Sequence, residues 1–184
     1  GEEEPNRLMY KLFDKTAYDV HPVRYPIIGY VEDFLRVNRQ DMTQYYRNRY
    51  VPENIVFSIA GDVDPDKAYA VVAEAFKDFE ARPLKTPDIP DEPAKHGYRY
   101  AEWEANVRTS MVRMGFRTVK MDDPDMYPLD LLAFIAGRGR SSVLNRKIKE
   151  DKKLVQDIFA YSATPDYVHG HFLIGCSLEP GGIK

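Results

Sequence analysis

The first residues that could carry metal chemistry are two histidines, His169 and His171, separated by one position. Alternate residues of a β-strand point to the same face, so both imidazole rings could reach one metal ion. Two ligands do not make a site, and neither an acid nor a third histidine stands at a helpful local spacing. We expect two polar rings on the solvent face of a strand, and we keep a metal-binding module using His169 and His171 as a weaker alternative.

Two polar segments could bind ions of opposite sign. Asp122, Asp123 and Asp125 offer the carboxylate oxygens that divalent cations prefer, but acids also stabilise a helix N-terminus, and Asp123 is placed as a cap. Residues 138–142, which read RGRSS, open a predicted helix and could bind an anion or a peptide carboxylate through backbone amides. They lack the Gly-Lys-Ser/Thr of a phosphate loop. We therefore expect helix caps at both places.

The remaining candidate residues have structural interpretations. His21 could act as a base, but no nucleophile or orienting acid is identifiable beside it, so we expect it to fix a proline-containing loop. Cys176, the single cysteine, excludes an internal disulfide framework and is expected to be a small buried hydrophobe. Tyr45, Tyr46 and Tyr50 are expected to be core and helix-packing residues, and not a platform on which a ligand stacks. The residues alone predict no catalytic residue and no metal ligand, and they leave the substrate-binding residues unknown.

The composition is that of a folded domain. The chain has 184 residues, of which 43% are hydrophobic and 30% charged, as in one ordinary domain or two small modules. A formal net charge of −3 does not indicate a nucleic-acid binder. The apolar runs are too short to cross a bilayer, so we expect no membrane segment.

A proline-rich segment divides the elements that must position these residues. Four prolines between residues 82 and 94 predict a stiff, non-helical connector. Before it, helical spacing follows Pro5, Asn38 and Asp64, and the apolar run 55–60 predicts a buried strand. The elements predicted after it are strands near 98–103 and 107–118, a helix after 123–124, a short charged helix over 142–152, and a hairpin of 154–163 with 167–178. The mixture predicts an α+β fold with helices packed on a mostly antiparallel sheet.

Three stretches occur in an order that is typical of one family. Residues 21–30 read HPVRYPIIGY, residues 45–56 read YYRNRYVPENIV and are followed by GDVDP, and residues 136–144 read AGRGRSSVL. Together they resemble the insulinase/pitrilysin-type zinc metallopeptidases, the inverzincins. Relatives of that family include the mitochondrial processing peptidase subunits and the core proteins of the cytochrome bc1 complex.

The resemblance implies a modular, LuxS/processing-peptidase-like organisation. Residues 1–80 resemble the end of a first peptidase-like α+β module, and residues 81–96 resemble the Pro-rich linker between modules. Residues 97–184 resemble the start of a second, non-catalytic module. Because the chain opens with Gly1 and not with Met, we interpret it as an excised piece of a longer protein.

The resemblance also implies where the chemistry lies. Catalysis in this family needs His-x-x-Glu-His, in which two histidines bind zinc and the glutamate activates the attacking water. The motif does not occur at His21, His96, His169 or His171, and the resemblance implies that it precedes the chain. A more distant glutamate ligand normally lies a few turns before the acidic-Pro element that residues 3–5 resemble, so the resemblance implies that it too precedes the chain, with Glu2 to Glu4 near that place. Zinc is therefore expected in the upstream catalytic site of the parent protein, and no family zinc ligand is carried onto this chain.

The function that follows from the resemblance is that of an inactive portion. We expect a non-catalytic part of a zinc-dependent endopeptidase that forms substrate-chamber wall and structural support. The alternative is a structural or assembly subunit, like the bc1 core proteins, with no proteolysis. The expected partners are the remaining half or partner subunit, an unfolded peptide substrate and, as a further candidate, a second copy of the chain. The resemblance is compatible with a bacterial cytoplasm, a periplasm or a mitochondrion.

Overall fold

The computed structural model describes residues 5–94 and 97–180, and the chain divides into two compact units. One unit combines residues 1–27 with residues 89–184, and the other consists of residues 28–88. His96 and the acidic residues before Pro5, which entered the search for zinc ligands, lie outside the described residues. Among the described residues, no helix combines the length and the apolar character that a bilayer crossing requires.

The first unit is built on a three-stranded antiparallel sheet. Its strands are β1 (Ser110–Arg117), β2 (Asp157–Ala163) and β3 (His171–Leu178), in the spatial order β1-β3-β2. In the register, Ile174 of β3 lies between Met114 of β1 and Ala160 of β2. The hairpin predicted around residues 164–166 is thus the β2–β3 pair, and the α+β fold with antiparallel sheet is confirmed.

The helix α5 (Met126–Gly137) covers one face of this sheet. Ala133 of α5 packs with Ala160 and Phe172 in the core of the unit. The helix approaches so closely that a Cβ on Gly137 would lie 2.0 Å from the backbone nitrogen of Ala160. Small residues on both sides therefore allow the helix and β2 to pack backbone against backbone.

The helix α1 (Pro5–Ala17) covers the opposite face. Its Phe13 ring lies over Gly115, where a Cβ would approach the ring carbon Cζ to 2.3 Å. The same ring meets His171 edge-on, with centroids 5.4 Å apart. Because side chains alternate along a strand, His171 belongs to the α1 face while Phe172 belongs to the α5 face.

The second unit, residues 28–88, is mainly helical. It contains α2 (Val31–Arg36), α3 (Arg39–Arg49) and α4 (Pro65–Ala75). The predicted caps are present: Asn38 and Asp41 form a capping box, and the Asp64 side chain accepts from two backbone N–H groups of α4. Within this unit only Val51 is buried.

Three predicted elements differ in the structure. Residues 55–60 and 98–103 form no strand in the described part of the chain, and Val56 is 94% exposed. A strand needs a neighbour for its backbone groups, and apolar periodicity does not reveal whether one is available. The charged helix over 142–152 contains a π-helical segment, Asn145–Asp151, and ends at Lys153, whose φ is +52°. A wider turn and a left-handed residue close this helix.

Candidate functional site

A buried carboxylate holds the loop that follows α1. The Glu92 side chain accepts hydrogen bonds from the backbone N–H groups of Asp19, Val20 and His21, at 2.6, 3.0 and 2.9 Å. Glu92 itself is only 8% exposed. Backbone donors that converge on an ionised oxygen make strong hydrogen bonds in a buried setting. The proline-rich segment therefore fixes the His-Pro loop through this one side chain.

Two arginines reinforce this attachment. Arg117 of β1 donates to the carbonyl oxygens of Glu92 and Pro93, at 3.0 and 2.5 Å. Arg99 forms a two-pronged ion pair with the Asp19 carboxylate, with both N–O distances at 2.6 Å. The loop is thus bound to the sheet and to the segment before β1. Sequence reasoning did not identify Glu92, because its partners lie 71 to 73 positions away.

His21 has a structural role at the start of this loop. The ring is 4% exposed, and its Nδ1 accepts from the backbone N–H of Val23 at 3.1 Å. The ring also stacks on Tyr167, with centroids 5.9 Å apart and planes 13° from parallel. Since Nδ1 is an acceptor, the ring proton lies on Nε2, which is buried and has no hydrogen-bond partner among the described residues. The ring supports the proline turn at Pro22–Arg24.

The structure does not bring His169 and His171 together as a ligand pair. His169 is exposed and precedes β3, and its Nδ1 lies 3.0 Å from the carbonyl oxygen of Thr118. His171 opens β3 and is 8% exposed, so the expected solvent position is wrong for this ring. Its Nδ1 lies 3.0 Å from the Tyr18 hydroxyl, which is also 3.1 Å from the His169 carbonyl. Since a carbonyl only accepts, the hydroxyl donates to it and accepts from His171 Nδ1.

The described residues do not fit a zinc centre. No group of three or more histidine, cysteine, aspartate or glutamate side chains in residues 5–94 and 97–180 is arranged to hold a metal ion. A structural or catalytic zinc ion needs at least three such donors. The Nδ1 atoms of both paired histidines also already point at protein oxygens. No chemical step is therefore assigned to a metal held by these residues.

The other candidates have local roles. The Asp123 carboxylate accepts from the backbone N–H of Asp125 at 2.9 Å, which satisfies a free donor before α5. Burial raises the pKa of the Cys176 thiol, and nearby Arg113 only partly opposes this shift. A thiol with a raised pKa is a poor nucleophile. The expected core position of Tyr45, Tyr46 and Tyr50 is wrong, because each exposes more than half of its surface. Tyr46 and Tyr50 stack on each other, with ring centroids 4.6 Å apart.

The glycine-containing loop after α5 borders an open cavity of about 490 Å³. Gly139 adopts a φ of +84°, and its carbonyl accepts from the Ser142 backbone at 3.2 Å. The cavity is lined by Gly137, Gly139, Arg140, Asn145, Lys149, Glu150, Asp157, Ile158 and Phe159. Basic and acidic side chains alternate there, and the Lys149 ammonium lies 3.4 Å from the Asp157 carboxylate. Because both signs of charge are present, the cavity does not select an anion.

Comparison with known proteins identifies similar chains. A zinc protease named PqqE from Helicobacter pylori is 26% identical over 165 residues, which cover 88% of this chain and 37% of the relative. A protein named uncharacterized zinc protease YmxG, from Bacillus subtilis, is 26% identical over 163 residues, which cover 89% of this chain and 39% of the relative. The chain therefore spans less than half the length of these two relatives.

Solved structures share the fold. The crystal structure of a protease from Helicobacter pylori superimposes with a TM-score of 0.85 at 24% identity, covering 98% of this chain and 44% of that one. A peptidase M16 inactive domain from Pseudomonas fluorescens superimposes with a TM-score of 0.77 at 19% identity, over 97% of this chain and 43% of that one. The sequence model of one family also matches residues 36–184, most of the chain. On that match, the chain belongs to the family described as the peptidase M16 inactive domain.

Proposed function

We propose that this chain is a non-catalytic portion of a zinc-dependent endopeptidase, in which it forms wall and support for the chamber where peptide bonds are hydrolysed. The observation that carries the proposal is the family match over residues 36–184. The relative named zinc protease PqqE, of which the chain covers 37%, supports it. The remaining part of such a protein, or a partner subunit, supplies the zinc ion and the residues that activate water.

The module boundaries belong to the same proposal. Residues 1–80 form the end of one peptidase-like module, residues 81–96 the linker, and residues 97–184 the start of a second module. The apolar run 55–60 supports an incomplete first module, because within residues 28–88 it pairs with no strand and residues 56–60 are exposed. A strand supplied by the rest of the parent protein would bury this run.

The cavity beside Gly139 is our candidate for a surface that faces the peptide. It presents an ammonium, a guanidinium and two carboxylates next to a loop with a left-handed glycine. A peptide backbone and its termini carry both donors and acceptors, which match such a mixed lining. Arg140 and Lys149 are the side chains whose replacement would test this contact.

The alternative function is structural, without proteolysis. A chain of complex III2 from Candida albicans, solved with Inz-5 bound, shares the fold with a TM-score of 0.68 at 16% identity. The likeness covers 97% of this chain and 44% of that chain. A fold of this kind thus also occurs in a large assembly, and function does not follow from fold alone.

Reconstitution separates the two functions. The chain is expressed alone and together with the remaining part of its parent protein, and hydrolysis of an internally quenched peptide is measured with zinc and with a chelator. We expect no hydrolysis by the chain alone and zinc-dependent hydrolysis by the reconstituted protein. A stable complex that shows no hydrolysis would support the structural alternative. Hydrolysis by the purified chain alone would contradict both.

A further inference from the structure

A cavity of about 300 Å³ lies between α1 and the β2–β3 hairpin, apart from the cavity beside Gly139. Its walls are mainly aromatic. Four tyrosines contribute to them, Tyr10, Tyr18, Tyr161 and Tyr167, which we call the tyrosine cage. Phe13 and Asp14 also line the space. The faces of aromatic rings carry negative potential, so several rings around one space favour a cation there.

Within residues 5–94 and 97–180, the Asp14 carboxyl group has no counter-ion. Burial raises the pKa of this group from 3.8 to about 6. No basic side chain in residues 5–94 and 97–180 forms an ion pair with it. Its carboxylate has therefore lost part of its hydration without gaining a positive partner. A cation that entered the cavity would restore the missing interaction.

The walls of the cavity are held in place before any ligand arrives. The Tyr18 hydroxyl lies 3.0 Å from His171 Nδ1, and the two rings meet edge-on at 5.0 Å. Tyr167 is stacked on the buried His21 ring. Rings that are already fixed lose little side-chain entropy when a ligand binds. The cage is thus preorganised.

The chain itself already places a cation against this aromatic cluster. The guanidinium carbon of Arg113 lies 4.8 Å from the centre of the Tyr10 ring. Tyr10 and Tyr161 both line the cavity, and burial is the main cause that raises the pKa of Tyr161 to about 12. The distance is within the range of a cation–π interaction. The Tyr10 ring, which accepts the Arg113 guanidinium, also borders the cavity that Asp14 lines.

We propose that this cavity binds an organic monocation on a short alkyl chain, namely an alkylammonium or alkylguanidinium group, with Asp14 as counter-ion and the tyrosine cage around the charged end. Lysine and arginine side chains of a peptide carry these groups, and so do free amines. The proposal does not depend on the proposed peptidase function, because it concerns only residues of this chain.

The test is a binding titration of the whole chain with n-butylammonium chloride, followed by two-dimensional NMR. We expect saturable shifts of resonances from α1 and the hairpin. The neutral 1-butanol, of similar size, should bind at least about tenfold more weakly, since it lacks the charge that the cage and Asp14 recognise. Equal binding of 1-butanol would overturn the proposal, and this comparison needs no variant.

Variants locate the interaction. Asp14→Asn keeps the shape of the side chain and removes its charge, and it should weaken n-butylammonium binding about tenfold. The matched control is Asp130→Asn on the exposed face of α5, which should leave the affinity within about twofold. Unchanged binding by a folded Asp14→Asn variant would overturn the proposal. Tyr10→Leu, which removes one ring, should also weaken binding, whereas Tyr10→Phe should retain it.

The source of the cation is distinguished by two further ligands. A short blocked peptide with a central lysine is compared with the same peptide carrying norleucine. Binding of the lysine peptide more tightly than n-butylammonium assigns the site to peptide side chains. Equal affinity of the lysine peptide and n-butylammonium assigns it to the ammonium group alone. Equal binding of the lysine and norleucine peptides would contradict charge recognition.

Discussion

The two compact units of this chain bury their apolar residues to very different extents. The unit formed by residues 1–27 and 89–184 places helices on both faces of a sheet and encloses a core around Ala160 and Phe172. In residues 28–88, helices with correct caps expose most of their apolar side chains. Well-formed local structure is thus present in both units, but only one of them has the packed layers from which helices gain most of their stability.

The exposed residues of the second unit are of the kind that normally lies inside a protein. Ile28, Phe34, Leu35, Val56 and Tyr69 each expose three quarters or more of their surface. Exposure of several large apolar side chains in one small unit is typical of a surface that another segment or protein covers. The difference between the units therefore supports the proposal that residues 28–88 receive a covering layer from the rest of a longer protein.

The largest expected effect comes from comparing two glutamates near the proline-rich segment. Glu80 belongs to the second unit and Glu92 to the first. Glu92→Ala should lower the free energy of unfolding of the first unit by about 3–5 kcal/mol, because three backbone N–H groups in buried and partly buried positions lose their acceptor. Glu80 is exposed and lies 3.9 Å from Arg82. Glu80→Ala should therefore change stability by at most about 0.5 kcal/mol.

Urea denaturation gives the free energies, and hydrogen exchange resolved by NMR assigns the loss to one unit. Amides of β3 should exchange markedly faster in Glu92→Ala, while amides of α3 should keep the rate of the parent chain. Equal costs for the two substitutions would show that the Glu92 contacts do not stabilise the sheet unit.

Glu92 also illustrates what sequence reasoning reaches and what it misses. The caps at Asn38 and Asp64 are interactions between residues two or three positions apart, so local residue types predict them. The hairpin follows from alternation on both sides of residues 164–166. The Glu92 contacts join positions 71 to 73 residues apart, and no local pattern encodes them.

Other features that the sequence did not predict have similar physical causes. The apolar run 55–60 has the composition of a buried strand, but a strand forms only beside another strand, which is a property of the whole fold. His169 and His171 are two positions apart, as two residues on one face of a strand would be. However, β3 begins only at His171, so the two rings lie in different environments. The tyrosine cage draws residues from α1, β2 and the loops between, which only the folded chain brings together.

Glycine replacements test how tightly each unit is packed. Gly137→Ala places a methyl group 2.0 Å from the Ala160 nitrogen, so it should destabilise the first unit by about 2–3 kcal/mol. This steric cost exceeds the stability that alanine normally adds to a helix relative to glycine. Gly29 in the second unit has open space around it but a φ of +71°. Gly29→Ala should cost only about 1 kcal/mol, from backbone strain alone.

Thermal unfolding followed by circular dichroism at 222 nm measures both replacements. In Gly137→Ala, the midpoint temperature of unfolding of the first unit should fall or its transition should become less cooperative. In Gly29→Ala, the fall in midpoint temperature should be clearly smaller. A Gly137→Ala variant that is as stable as the parent chain would contradict the close contact between α5 and β2.

The smallest expected effect on stability concerns the Asp14 carboxylate, which is partly buried in the first unit. Burial raises the pKa of Asp14 to about 6, so the folded state holds this proton more tightly than the unfolded chain does. The contribution of Asp14 to stability is therefore present below about pH 4 and is lost as the pH rises through 6. The pKa difference corresponds to about 3 kcal/mol for a fully buried group. Partial contact with water reduces it to about 1–2 kcal/mol.

Asp14→Asn should consequently stabilise the chain by about 1–2 kcal/mol at pH 7.5 and change little at pH 4. Asp33, exposed on α2 and 3.7 Å from Arg36, provides the matched control in the second unit. Asp33→Asn should lower stability by at most about 0.5 kcal/mol at pH 7.5, because a weak surface ion pair is lost. Urea titrations at the two pH values measure both variants. If Asp14→Asn and Asp33→Asn had the same dependence on pH, the carboxyl group of Asp14 would be as well hydrated as one on the surface, and the packed unit would hold no unpaired charge.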